Sequence, residues 1–102
     1  MPVALLEWKK FEKNTLRGFA KVRLGKALVI ADVTVHASHG KRWASMPSKP
    51  VIGTDGTLKK DSATGKAVYV PIISWADKAT ADSFSEGVIQ AVEAKYPGDT
   101  EA

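Results

Sequence analysis

Leu16-Arg17-Gly18-Phe19-Ala20-Lys21-Val22-Arg23-Leu24 alternates, residue by residue, between small or apolar side chains and basic or aromatic ones. Successive side chains of a strand point to opposite faces, so Gly18, Ala20, Val22 and Leu24 share one face and Arg17, Phe19, Lys21 and Arg23 share the other. One face suits a core and the other an anion. Upstream, Val3 to Phe11 reads as a first strand, and Lys13, Asn14 and Thr15 supply a polar reversal. Downstream, Gly25-Lys26 is a two-residue hairpin candidate leading into Ala27 to His36, whose β-branched and aliphatic content predicts a central strand. Ser38, His39 and Gly40 turn the chain again. Lys41 to Met46 then completes a four-strand antiparallel meander, with Lys41, Trp43 and Ser45 on one face.

From Pro47 to Gly65 the composition shifts to Pro, Gly, Ser, Thr, Asp and Lys, with Asp55-Gly56 and Thr64-Gly65 as turn signals. This predicts a mobile basic loop over about 47–66, or an extended hairpin. Ala67 to Val70 returns to strand character, and Pro71 confines it to a short or edge strand. Beyond Asp77 the period changes. Ala81, Phe84, Val88, Ala91 and Val92 recur at three- and four-residue steps, which predicts an amphipathic helix of about 18 residues, capped by Ser74 or Asp77 and stopped by Pro97-Gly98. An acidic tail, 98–102, is expected to fray. The fold class is therefore α+β: an antiparallel sheet of four to five strands followed by a C-terminal amphipathic helix, in a single domain over residues 1–102. One helix covers one face of such a sheet. The other face must be wet, bound to a partner or paired, so a homodimer is expected, through the helix or the edge strand at Ala67 to Val70.

The net charge of +4 conceals a division. Residues 1–70 carry thirteen Lys or Arg against five Asp or Glu, and residues 71–102 carry two against six, a split of +8 and −4. Such a division gives the strand region the electrostatics of a polyanion-binding surface. Arg17, Phe19, Lys21 and Arg23 line up about 7 Å apart, near the spacing of successive phosphates. Phe19, and Trp43 where it faces the same way, offer stacking platforms for unpaired bases. Lys41, Arg42 and Lys49 extend the basic character through the fourth strand and the Trp43 to Ser48 element. The nucleic-acid-binding candidates are Arg17, Phe19, Lys21, Arg23, Lys41, Arg42, Trp43 and Lys49. Lys59, Lys60 and Lys66, by contrast, read as solvated loop lysines.

No catalytic, cofactor or metal site is expected. Asp32, His36 and His39 are the one cluster resembling an acid/base or metal site, and they lack a third ligand at a characteristic spacing. The chain has no cysteine, no nucleophile elbow, no phosphate-cradling glycine loop, and no HExxH or CxxC pattern. Ser45 and Ser48 have no evident base. A non-enzymatic protein without a small-molecule substrate is expected. Glu7, Lys9 and Lys10 interrupt the apolar start, and no stretch approaches the roughly 20 apolar residues of a membrane span, so a cytoplasmic protein with no membrane partner is expected.

Leu28 to Val35 (LVIADVTV), the turn at Gly40, Trp43 to Lys49 (WASMPSK) and Tyr69-Val70-Pro71-Ile72 together resemble the SpoVG family of small bacterial regulators. The similarity covers about residues 16–94, and Met46-Pro47-Ser48-Lys49 is its most specific part. The resemblance implies a curved antiparallel sheet with a C-terminal helix, dimerisation, and regulatory binding of DNA or RNA without enzymatic activity. Lys49 is the position that inherits the family's basic motif. Pro50 stands where the family commonly continues with another basic residue, and the 51–66 loop is longer than usual. By architecture alone, the sheet-then-helix order also looks like the transcriptional-coactivator and Whirly type of single-stranded-DNA binder, acting in replication or recombination. A third class is a non-catalytic scaffold, in which Trp75, Phe84, Val88 and Val92 and the edge strand recruit another protein.

Overall fold

The computed structural model describes residues 2–101. Four strands, β1 (Val3–Lys13), β2 (Leu16–Leu24), β3 (Leu28–Ser38) and β4 (Lys41–Ser45), form an antiparallel meander in the order β1-β2-β3-β4. An 18-residue helix, α1 (Lys78–Lys95), follows. The reversal after β1 is tighter than the composition suggests, because the strand runs on to Lys13 and Asn14 takes the left-handed turn conformation at φ 55°. Asparagine tolerates that conformation better than most side chains.

Register slips bend the sheet. Leu5 pairs with Val22 and Glu7 with Lys21, leaving Leu6 unpaired in β1. On the other side of β2, Val22 pairs with Ile30 and Ala20 with Val33, so Ala31 and Asp32 together oppose Lys21. Asp32 has φ 57°. Both neighbours of β2 thus bulge at the same level, and each bulge moves the inward-facing parity by one residue. The buried positions accordingly pass from Ile30 to Val33, Val35 and Ala37 within one strand.

The core lies between one sheet face and α1. Leu5, Ala20, Val22, Ile30, Val33 and Val35 meet Phe84, Val88 and Val92, spaced four residues apart on the helix. Fully burying side chains of this kind contributes about 1.5–3 kcal/mol each, so the apolar stripe is what fixes the helix on this face. Asp77 caps the helix, its carboxylate accepting from the Thr80 N–H at 2.7 Å and the Thr80 hydroxyl at 2.9 Å. These bonds hold the Asp77 carboxyl below its ordinary pKa. Ser85 on α1 accepts the Ala44 N–H at 2.7 Å, satisfying a donor on the outer edge of β4.

Of the two readings of 47–66, a mobile basic loop or an extended hairpin, the backbone takes the second: β5 (Ser48–Pro50) pairs with β6 (Tyr69–Pro71), and the Val51 N–H donates to the Val68 carbonyl and the Val68 N–H to the Lys59 carbonyl at 2.8 and 2.9 Å. The Asp55 and Asp61 side chains close its turns by accepting nearby backbone N–H groups. The hairpin's second strand lies at Tyr69–Pro71 and pairs with β5 in a separate two-stranded sheet, so the main sheet among the described residues has four strands, within the four to five expected.

Residues 98–101 of the tail are packed against the domain. Thr100 is fully buried. The Trp8 indole N–H donates to the Asp99 carboxylate at 2.9 Å, the Arg17 Nε donates to the Glu101 carbonyl at 2.9 Å, and the Thr100 hydroxyl donates to Glu93. Gly98 and these three residues reach the part of the core face that α1 leaves open, where side chains on four elements hold them. Ala102 falls outside the described residues. No helix is long and apolar enough to cross a membrane among the described residues.

Candidate nucleic-acid interface

The sheet face opposite α1 carries no helix. Cross-strand pairing decides which side chains share it, because directly opposed residues point the same way. Phe19 pairs with Lys9 and Thr34, Lys21 with Glu7, Arg23 with Ala4 and Val29, and Trp43 with His36. Thr34 and His36 are two residues apart on β3, so Phe19 and Trp43 face the same way. Lys41 and Ser45 share that face with Trp43. Five of the eight residues singled out by sequence, Phe19, Lys21, Arg23, Lys41 and Trp43, are therefore brought together on the uncovered face.

The aromatic groups form a row across all four strands. Phe11 lies against Phe19 with ring centroids 6.1 Å apart and planes at 47°, and Trp43 stacks on His36 at 5.5 Å and 9°. Trp43 remains 36% exposed, so one indole face rests on the imidazole and the rest is open to a ligand. The imidazole is held in turn: each ring nitrogen lies 3.1 Å from a threonine hydroxyl, Nδ1 from Thr15 and Nε2 from Thr34. Burial, with the Arg17 charge adding to it, lowers the His36 pKa from its ordinary value, keeping the ring neutral under Trp43. A stack fixed at its base this way pre-organises the platform for an incoming base.

Three of the eight are elsewhere. Arg17 sits at a register slip, Leu16 pairing with His36 and Gly18 with Val35, which removes it from the alternation. Its guanidinium donates to the carbonyls of Asn14, Leu16 and Glu101. Arg42 pairs with the buried Ala37 and so points to the helix side. There it makes an ion pair with Glu93 at 3.0 Å and donates to the Thr100 hydroxyl at 3.3 Å. Lys49 is exposed on β5, in the separate hairpin. The corrected basic set on the sheet is Lys9, Lys21, Arg23 and Lys41.

The Asp32 and His36 pair foreseen as a weak acid/base cluster is also apart in bonding, since threonines take both His36 nitrogens. Among the described residues no group of three or more His, Asp or Glu is placed so that it could hold a metal ion. Three residues of the face were missed from sequence: Lys9, Phe11 and His36. The Leu6 bulge breaks the alternation of β1, so a uniform period could not assign Lys9 and Phe11, whereas the apolar parity change around it was the available signal.

Comparison of the chain with protein-family models, with curated proteins and with solved structures finds no match in any of the three.

Proposed function

We propose that this protein is a non-enzymatic, SpoVG-like regulator that binds single-stranded DNA or RNA across the uncovered sheet face. The observation that carries the reading is the row Phe11, Phe19, His36 and Trp43, one aromatic ring on each of four strands, flanked by Lys9, Lys21, Arg23 and Lys41. Two partly exposed aromatic pairs, one tilted and one stacked, with cations beside them match what unpaired bases and their phosphates require. A duplex offers no base faces to such a row. Lys49, exposed on the separate β5–β6 hairpin, is a further candidate contact to phosphate, and the site of action is the cytoplasm, where such a regulator meets nucleic acid.

A homodimer belongs to the same proposal. Ile52, Leu58, Tyr69, Val70, Ile72 and Ile73 are all exposed large hydrophobic residues on or beside the hairpin. An apolar surface of this kind on so small a domain marks an interaction face, and a second copy of the chain is the partner we assign to it. A scaffold that recruits a different protein through this hairpin is the competing reading.

Fluorescence anisotropy with labelled single-stranded DNA, single-stranded RNA and duplex DNA at two salt concentrations tests the function. Single strands should bind more tightly than duplex, and affinity should fall steeply as salt rises, because displaced counterions drive phosphate binding. Phe19→Ala and Trp43→Ala should each weaken single-strand binding about tenfold, within the range for loss of one stacked base. Binding to none of the three at low salt would refute the proposal and leave the scaffold in front.

A further inference from the structure

The uncovered face is not uniformly basic. Between the two bulges lies a concavity of about 630 Å³, lined by Glu7, Lys9, Phe19, Lys21 and Asp32, with Trp8, Ala20 and Ala31 between them. That size falls within the range of small-molecule sites. Its carboxylates are out of keeping with a surface that only tracks phosphates, since Glu7 and Asp32 would repel a polyanion. The ion pairs of the described residues do not neutralise them either: those pairs join Lys10 to Glu12 and Asp99, Arg42 to Glu93, and Lys78 to Asp82. The concavity thus combines an aromatic wall, two lysines and two carboxylates that accept hydrogen bonds and donate none.

We propose that this concavity is a pocket for one unpaired guanine of the bound strand, stacked on Phe19 and read at its Watson–Crick edge by the Asp32 carboxylate. The proposal rests on the nucleic-acid reading of the sheet face and adds base selectivity to it. Guanine presents two adjacent donors, N1–H and the 2-amino group, which a carboxylate accepts as a pair. Adenine and cytosine set a single amino donor beside an acceptor, and thymine sets one imino donor between two carbonyl oxygens that a carboxylate repels. Lys9 and Lys21, on the same rim, then take the flanking phosphates and offset the charge of Glu7 and Asp32. Asp32 is offered to the pocket because the bulge opposite Lys21 places it there.

The test uses short labelled thymidine oligomers carrying one central deoxyguanosine, deoxyinosine or thymidine, titrated by anisotropy. The oligomer with deoxyguanosine should bind about tenfold more tightly than the all-thymidine one, in keeping with a paired base contact, and deoxyinosine, which lacks the 2-amino group, should fall between. Asp32→Asn should bring the guanine-to-thymine ratio close to one while leaving all-thymidine affinity equal or raised, because a negative charge is removed. Asparagine accepts the left-handed conformation that position 32 adopts, so the variant keeps the bulge. Lys21→Met should weaken every oligomer and preserve the ratio. Salt-sensitive binding with no preference for guanine would overturn the pocket alone, as would a preference that survives Asp32→Asn. Absence of binding to every oligomer would overturn the nucleic-acid reading and the pocket together.

Discussion

Replacing Gly18 with alanine adds one methyl group where there is no room for it. An ideal Cβ on Gly18 would stand 2.5 Å from Cη2 of Trp8 and 2.6 Å from the Lys9 carbonyl oxygen. Carbon contacts are optimal at about 3.5–4.0 Å, so both neighbours must give way. Trp8 has no cheap escape, because its indole N–H is bonded to Asp99 at 2.9 Å and its ring packs against the core. The Lys9 carbonyl is backbone, and moving it shifts the pairing of β1 with β2. Overpacking of this kind costs about 1–3 kcal/mol, and loss of the hydrogen bond to a charged acceptor adds about 1.5 kcal/mol. A total near 3 kcal/mol is a large part of the roughly 5–15 kcal/mol that stabilises a small domain, and corresponds to a fall in Tm of about 12–24 °C. Urea and thermal unfolding followed by circular dichroism would measure it. Trp8→Ala alone should be costly through the cavity it opens, yet the double variant should lose less than the sum of the two, since part of the clash disappears with the ring. Wild-type stability in Gly18→Ala, or full additivity in the cycle, would refute the packing of Trp8 over Gly18.

The remaining predictions concern the tail, the corrected site residues and pH. Ending the chain at Pro97 removes the four bonds of Asp99, Thr100 and Glu101 to Trp8, Glu93, Arg42 and Arg17, and should cost about 4 kcal/mol at about 1 kcal/mol per bond, read as a lower Tm. Arg42→Ala should lower stability by no more than about 1 kcal/mol, as expected for a partly exposed ion pair, and leave single-strand affinity unchanged in the same anisotropy assay. Lowering pH should weaken the fold in two steps in urea titrations. His36 has a folded pKa below its ordinary 6.5, so the unfolded chain takes up the proton first and stability declines as pH drops from that value towards the lower folded one. Glu93 is likewise held below its ordinary 4.5, chiefly by the Thr100 hydroxyl and then by the Gly98 N–H, so its contribution is full above that value and is lost as pH falls through the folded pKa. His36→Gln should abolish the first step and keep the second.

Much of the fold was legible because its elements follow simple periods. The alternation from Gly18 to Leu24, the turn chemistry at Gly25 and Gly40, and the stripe at Phe84, Val88 and Val92 each pointed to the element found. Bulges were not legible as such. At Leu6, Arg17 and Ala31–Asp32 a residue drops out of the pairing, and from there on a uniform period assigns the wrong face or the wrong neighbour. Arg17 illustrates the effect on the site: alternation set it beside Phe19 and Lys21, and the slip at Leu16 and Gly18 turned it to the tail. Arg42 illustrates a different limit, since its partner Glu93 lies 51 residues away on the helix and only tertiary packing joins them. The contacts of the tail were not legible in the sequence, because polar, Gly- and Asp-containing termini usually carry none. Here the indole N–H of Trp8 and the carboxylate of Glu93 needed partners at an open corner of the core, and residues 98–101 supply them.

The chain's three tryptophans give the most direct test of where nucleic acid binds. Trp43 lies on the uncovered face, Trp8 is bonded to Asp99 beneath the tail, and Trp75 packs against Phe84 at 5.4 Å beside the helix. Titrating isotope-labelled protein with an unlabelled single-stranded oligomer and following the three indole N–H resonances separates these environments. The account predicts that the Trp43 resonance moves in proportion to binding while that of Trp75 holds its position. Movement of Trp75 with Trp43 unchanged would contradict binding at the uncovered sheet face.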